Sequence, residues 1–329
     1  MPSPLLSLVI PIYNEEETIP ELDRRLGQLL SAPSVGEDWE VVFVNDGSRD
    51  RSRELLLGLA DRERRYRVLS FSRNFGHQMA ITAGVDRSSG QAVVVMDANL
   101  QDPPEVIVQM LDKFREGYDV VYAVRKKRRG ETLFKRFSAA LFYRFMRTMT
   151  GVDIPVDTGD FRLMSRAVVQ VLSALRERHR FVRGLVAWVG FRQTAVYYDR
   201  DARFAGETKY PLKRMIRFAL DAITSFSVVP LRMATWLGIV AGLIAVGTGI
   251  WSLVERFLSG TVPGWTTIMM AVAFGSSAQL LMTGVLGEYV GRIYEEIKRR
   301  PLYIIEKEQN FPSDAARPAV HADDTVPRS

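Results

Sequence analysis

The sequence predicts an α/β domain with a mostly parallel sheet, followed by an interfacial amphipathic helix and two transmembrane helices. Three observations predict it. Up to about residue 210, short runs rich in β-branched residues alternate with helical stretches, the pattern of βαβ units. Leu212–Phe226 places apolar residues at 212, 215, 216, 219, 220, 223 and 226, with Lys213, Arg214 and Arg217 opposite. Met233–Val254 and Thr266–Leu286 then run 22 and 21 residues without a charge, each long enough for a hydrocarbon core of about 30 Å.

The first strand is expected at Leu5–Ile12. Asn14–Thr18 follows, with acids placed where a helix dipole favours them, and the helix runs to about Leu30. A second strand, Trp39–Val44, ends in Asn45-Asp46-Gly47-Ser48-Arg49-Asp50, where Ser48 or Asp50 is suited to cap the next helix. Tyr66–Phe71 is the third strand and leads into Arg73-Asn74-Phe75-Gly76-His77. Gln91–Met96 is a continuous apolar run, as in a strand buried on both faces, and Tyr118–Val124 is the fifth. Val156–Arg162 reads as an acidic turn before a helix at Arg166–Leu175, and Leu133–Met149 as a helix whose aromatics serve packing.

The centre of this arrangement is Asp97-Ala98-Asn99-Leu100-Gln101-Asp102-Pro103-Pro104, at the carboxyl end of the fourth strand, where open α/β sheets bind ligands. Asp97, Asn99 and Gln101 offer hard oxygen ligands at alternate positions, a set suited to Mg²⁺ or Mn²⁺ holding a diphosphate. A polar turn capping a helix is the plainer alternative for such a motif taken alone.

The net charge of +6 fits an anionic partner: phosphate, nucleic acid or lipid headgroup. With no cysteine there is neither a disulfide nor a thiolate metal site. Arg125–Arg129 is a basic run that serves as a solvated loop or faces phosphate. The basic helix before the first span reads as one lying in the membrane interface. Basic residues precede the first span (Lys213, Arg214, Arg217, Arg232) and follow the second (Arg292, Lys298, Arg299, Arg300). The positive-inside rule therefore places both termini and the α/β domain in the cytoplasm, with a multi-pass protein in the plasma membrane. The expected divisions are 1–210 for the catalytic domain, 211–230 for the juxtamembrane helix, 231–290 for the two spans and 291–329 for a tail, polar and disordered after about Phe311.

Three motifs stand together: Pro11-Ile-Tyr13-Asn14-Glu15, Asn45-Asp46-Gly47-Ser48-x-Asp50 and Asp97-x-Asn99-x-Gln101-x-Pro103-Pro104. Their combination resembles the family 2 glycosyltransferases of GT-A fold. It is similar in particular to the polyprenyl-phosphate glycosyltransferases, the dolichyl-phosphate mannose synthase group, and to their GtrB-type subset with two C-terminal membrane helices. The resemblance covers about residues 5–300. It implies an inverting transfer of a hexose, glucose from UDP-glucose above all, to polyprenyl (undecaprenyl) phosphate. It also implies a Mg²⁺ or Mn²⁺ cofactor and a homo-oligomer, a tetramer by analogy.

Carried over by residue, the resemblance implies that Pro11, Tyr13, Glu15 and Asp46 contact the nucleotide. Asp97, Asn99 and Gln101 would hold metal and diphosphate, and Arg125 would reach phosphate. Arg203 and Lys209, in Arg203–Tyr210, match the carrier-phosphate motif, and Asp157 stands where the family keeps an acid near the acceptor, as a base or a positioning group. The family usually has Asp where this chain has Asn99, which should lower metal affinity. GDP-mannose is the alternative donor. A non-catalytic nucleotide-binding membrane anchor is the alternative function, for which Asn99 speaks. A processive synthase lacks its Gln-x-x-Arg-Trp motif here, and a dehydrogenase lacks G-x-G-x-x-G after the first strand.

Overall fold

A computed structural model describes residues 5–36, 38–126, 158–199, 229–259 and 264–312. Asp157, Arg203, Lys209, the expected helix at 133–149 and the expected amphipathic helix at 212–226 lie outside the described residues. So does the tail beyond 312.

Runs of Val, Ile and Leu form the strands because their branched side chains pack well on a pleated surface. β1 (Leu6–Ile12) and β2 (Trp39–Asn45) are buried at every position. β3 (Tyr66–Phe71), β4 (Ala92–Val95) and β5 (Val120–Arg125) follow the expected strands closely. Three more strands were not expected. β6 (Thr158–Ser165) occupies the stretch that reads as an acidic turn. β7 is Gln193–Tyr198, and β8, Ile305–Gln309, lies within the expected tail.

The sheet order is β7-β5-β6-β4-β1-β2-β3-β8. β1 pairs in parallel with both β2 and β4, and β2 with β3. β6 is antiparallel to β4 and β5, β7 is parallel to β5, and β8 is antiparallel to β3. The strand order therefore switches direction at β1, and ligands of open α/β sheets bind outside the carboxyl ends of the strands at such a point.

Helices cover both faces. α1 (Ile19–Leu30), α2 (Ser52–Arg62) and α4 (Val106–Arg115) bury Leu22, Leu26, Leu56, Ile107 and Met110 in one core with Leu8, Ile10, Phe43 and Phe161. α3 (His77–Arg87), α5 (Arg166–Ala174) and α6 (Val182–Trp188) lie on the other face. α3 presses on β1 so closely that a Cβ at Gly84 would stand 2.2 Å from Val9 Cγ1, so only glycine fits. Arg51, not Ser48 or Asp50, occupies the N-cap position of α2, without a side-chain cap; Asp50 Oδ1 accepts from Ser52 N at 3.0 Å.

β8 is docked in detail. Ser72 N donates to Ile304 O at 3.1 Å, and Arg87 pairs with Glu308 at 2.9 Å. Tyr303, which precedes β8, is buried, stacks on Phe71 at 5.3 Å and donates to Asp86 at 2.9 Å.

The described residues fall into two compact units, the sheet with its helices and residues 300–312, and the apolar helices. In the second unit, α7 (Val229–Ser259) and α8 (Trp265–Ile297) contain stretches long and apolar enough to cross a membrane, Leu231–Trp251 and Met270–Ile297. They pack on each other, with Gly238 closely facing Met282.

Candidate active site

The loops at the carboxyl ends are built before any ligand arrives. After β1, Asn14 adopts φ 54°; its N–H donates to Ser48 Oγ at 3.1 Å and its Oδ1 accepts from Arg49 N at 2.9 Å. Glu15 N donates to Ser52 Oγ at 2.9 Å, and Glu15 Oε2 accepts from Thr18 Oγ1 at 2.8 Å. The loops after β1 and β2 are thus locked to each other. Pro11 is buried in the strand and Tyr13 is exposed beyond it.

Asp46 is buried at the end of β2. It accepts from Phe75 N at 2.7 Å, Gly76 N at 2.9 Å and Asn74 Nδ2 at 3.0 Å. Burial raises its pKa, and the backbone donors of Phe75 and Gly76 oppose that rise. Gly47, at φ 65°, lets the loop pass; a Cβ there would meet Arg73 C at 2.4 Å. Asp46 therefore organises the Arg73–Gly76 loop, whose next residue, His77, opens α3.

His77 reaches over the end of β4. Its Nε2 lies 3.2 Å from Asp160 Oδ2 and 3.4 Å from Asp97 Oδ1. Arg183, from α6, donates to both oxygens of Asp160, Nε at 2.8 Å and Nη2 at 3.1 Å. Beneath them Arg162, two residues along β6, is fully buried, donates to Gly159 O at 2.8 Å and stands 5.5 Å from the Tyr122 ring. Asp97 Oδ1 is buried and has no hydrogen-bond partner.

These contacts set the charges. Burial favours neutral Asp160, but the hydrogen bonds from His77 and Arg183 and the charges of Arg183 and Arg162 outweigh it and hold the carboxyl well below the usual range. Burial raises Asp97; the neighbouring carboxylates add to this, against the pull of His77. Burial opposes protonation of His77, yet Asp160 and Asp97 together raise its pKa. Burial brings Arg162 down to about 10.

His77, Asp97 and Asp160 each place one ligand atom within 4.8 Å of the others, so the donors for a cation are present. Asp97, with its orphaned oxygen, fits a hard divalent ion. Asn99 Oδ1 is taken up in an Asx turn, accepting from Gln101 N at 3.0 Å. Arg125, at the end of β5, turns toward Asp102.

The carboxyl end of β4 thus gathers carboxylates and cations at the switch point of the sheet. The model of glycosyl transferase family 2 matches residues 7–172. The chain belongs to that family. It is 51% identical over 306 residues to the glycosyltransferase YkcC of Bacillus subtilis (strain 168), covering 92% of this chain and 93% of that one. It is 39% identical over 303 residues to the prophage bactoprenol glucosyl transferase homolog of Escherichia coli (strain K12), covering 92% and 98%. It is 40% identical over 303 residues to the bactoprenol glucosyl transferase of Shigella phage SfII, covering 92% and 97%. The sheet, with its helices on both faces, is the GT-A fold.

Of the expected site residues, the structure brings Asp97 into the cluster, while Pro11, Tyr13, Glu15 and Asp46 lie at and just beyond the carboxyl ends of β1 and β2. Sequence reasoning missed three residues of this cluster, His77, Asp160 and Arg183. His77 ended the run Arg73–His77 after the third strand, to which no role was given. Asp160 lay in a motif from which Asp157 was singled out. Arg183 carries no local signal at all.

Proposed function

We propose that the chain transfers a hexose, preferentially glucose from UDP-glucose, to polyprenyl phosphate at the cytoplasmic face of the plasma membrane, with inversion at the anomeric carbon. The observation that carries the reading is the joining, in one chain, of a family 2 site to two bilayer-length helices. The names of the relatives from Escherichia coli and Shigella phage SfII support the lipid and the sugar.

The donor's diphosphate is the group that gathers charge as the glycosidic bond breaks through an oxocarbenium-like transition state. Arg183 is fixed in place by Asp160, so it presents positive charge without reorganising at the moment of reaction. Asp97, with Asp160 and His77 nearby, would hold a Mg²⁺ or Mn²⁺ ion; bound there, the ion supplies further positive charge for the departing diphosphate. Arg125, Tyr13, Glu15 and Pro11 complete the donor side, and Arg203 and Lys209 receive the acceptor phosphate.

A phosphate monoester has a second pKa of about 6, so the acceptor is largely dianionic at neutral pH and needs little help from a base. That suits Asp160, whose lowered pKa makes it a weak proton acceptor and a strong anchor for cations. Two crossings fit the return of β8 to the sheet: the chain leaves for the helices after β7 and comes back to β3, which requires an even number of passages.

The test is to incubate the purified protein in nanodiscs with labelled UDP-glucose, GDP-mannose and other nucleotide sugars together with undecaprenyl phosphate. The expected product is β-linked glucosyl phosphoryl lipid, identified by mass spectrometry and NMR. Nucleotide binding without any lipid-linked product would overturn the reading in favour of the non-catalytic anchor.

A further inference from the structure

His77 is the member of the cluster with the least local support. It is the first residue of α3, and α3 begins without a side-chain cap. It follows directly on the Arg73–Gly76 loop, whose Phe75 and Gly76 amides donate to Asp46. Its place beside Asp97 and Asp160 is therefore set by what holds this loop and the body of α3.

One side chain grips both. Tyr303 is 3% exposed, and its ring stacks on Phe71 with the planes 13° apart. Phe71 meets Phe75 edge-on at 5.6 Å, two residues before His77. Near the other end of α3, Tyr303 Oη donates to Asp86 Oδ2 at 2.9 Å. Asp86 is itself held, by Arg176 Nη1 at 2.7 Å and by Ser173 Oγ at 2.8 Å. Burial, with the charge of Asp86, pushes the Tyr303 hydroxyl up, so it remains a donor at neutral pH. The backbone acts at the same place. The pairing of β3 with β8 shifts register between Ser70 and Phe71, an irregularity of the kind that re-aims a strand. That strand runs straight into the loop before His77.

Closing the edge of the sheet would account for a buried aromatic after α8. It does not require one side chain to hold both the strand that leads to His77 and the helix that His77 begins. We propose that Tyr303 is a positioning residue for the site: its ring, through Phe71 and Phe75, sets His77 against Asp97 and Asp160, and its hydroxyl ties that ring to α3. The kinetic consequence rests on the function proposed above; the placement of His77 does not.

The deciding variant is Tyr303→Leu, studied as full-length protein in nanodiscs. Amide hydrogen exchange is followed first, without substrates. Exchange at Phe75 and Gly76 should rise about fivefold or more, the scale of a lost aromatic pair, while β1 and β5 exchange as in the wild type. Tyr303→Phe keeps the ring and deletes only the hydroxyl, so it should stay within about twofold of the wild type at these amides. A change confined to residues 66–71 and 300–312 overturns the proposal, and so does an equal rise in Tyr303→Phe. Phe75→Leu breaks the same relay from its half-buried end without touching β8, and it decides the matter should Tyr303→Leu fail to fold. In either leucine variant kcat for lipid-linked product should fall about tenfold, as for a slightly misplaced group. Combined with His77→Ala, neither should cost more than about twofold further, because both act through His77. A full loss in that background would mark a general packing defect and overturn the assignment. If the wild-type protein makes no lipid-linked sugar, the function reading fails, and the exchange result still decides the placement.

Discussion

The two ends of the sheet use the same residue types and leave their carboxylates in opposite conditions. At the amino ends, buried Glu40 accepts from Ser7 Oγ at 2.5 Å, Ser89 N at 2.6 Å and Ser89 Oγ at 2.7 Å, and pairs with Arg67. Both of its oxygens are used, and Arg166 closes the neighbouring turn by donating to Gly90 O at 2.8 Å. At the carboxyl ends, Asp97 keeps a buried oxygen without a hydrogen bond, and Arg162 keeps Nε and Nη1 without one. A carboxylate with both oxygens paired holds strands together; one with a buried oxygen left over keeps the capacity to bind. The contrast is between the two carboxylates, since Arg67 Nε at the amino end is also buried without a hydrogen bond.

The comparison breaks most sharply at Asp97. Asp97→Asn should lower kcat/KM for transfer by about 10³-fold, as when electrostatic stabilisation of the leaving group is removed. Its melting temperature should hold or rise, because the variant deletes a carboxylate that burial disfavours. A fall in both would make Asp97 a structural acid like Glu40. Glu40→Ala should do the reverse: unfolding free energy drops by about 3–5 kcal/mol, since Arg67 loses its buried partner. The KM values for both substrates, assayed well below the melting transition, should stay as in the wild type.

Asp160 sharpens the comparison, because it is satisfied and yet sits among the functional groups. Asp160→Asn should cost transfer about 10²-fold by releasing Arg183 and His77 from their fixed positions. The stability loss should be smaller than for Glu40→Ala, about 1–3 kcal/mol, which denaturant titration would measure. The smallest effect belongs to Asn99→Asp. An added charge near Asp97 is worth roughly 1 kcal/mol across water, so Mn²⁺ affinity should rise several-fold in a calorimetric or spin-resonance titration. An unchanged affinity would show that the Asx turn keeps position 99 away from the cation.

Legibility followed chemistry. β1 to β5 could be read because both of their faces are apolar, which makes continuous hydrophobic runs. β6 could not, because Asp160 and Arg162 interrupt its pattern, and they do so because they furnish the site. β8 reads Ile-Glu-Lys-Glu-Gln, a solvated edge strand whose charges pair with Arg53 and Arg87 far back in the chain. Nothing local marks it as a strand. Asp97 was legible from its place after a buried strand. His77, Asp160 and Arg183 come from three separate elements, and only the folding of α3, β6 and α6 around the switch point brings them within hydrogen-bonding reach.

The docking of β8 also fixes an order of assembly. The strand that covers β3 is the last of the described strands to be synthesised, after both apolar helices. Until it emerges, the nascent domain carries an open edge at β3 and an uncovered Phe71, features that invite pairing between chains. Both apolar helices are therefore synthesised before the sheet can close at this edge. A fragment cut before the first helix would be left permanently in that unfinished state, with a backbone ladder on offer to its neighbours. Supplying residues 300–312 as a separate peptide would be the natural way to finish it.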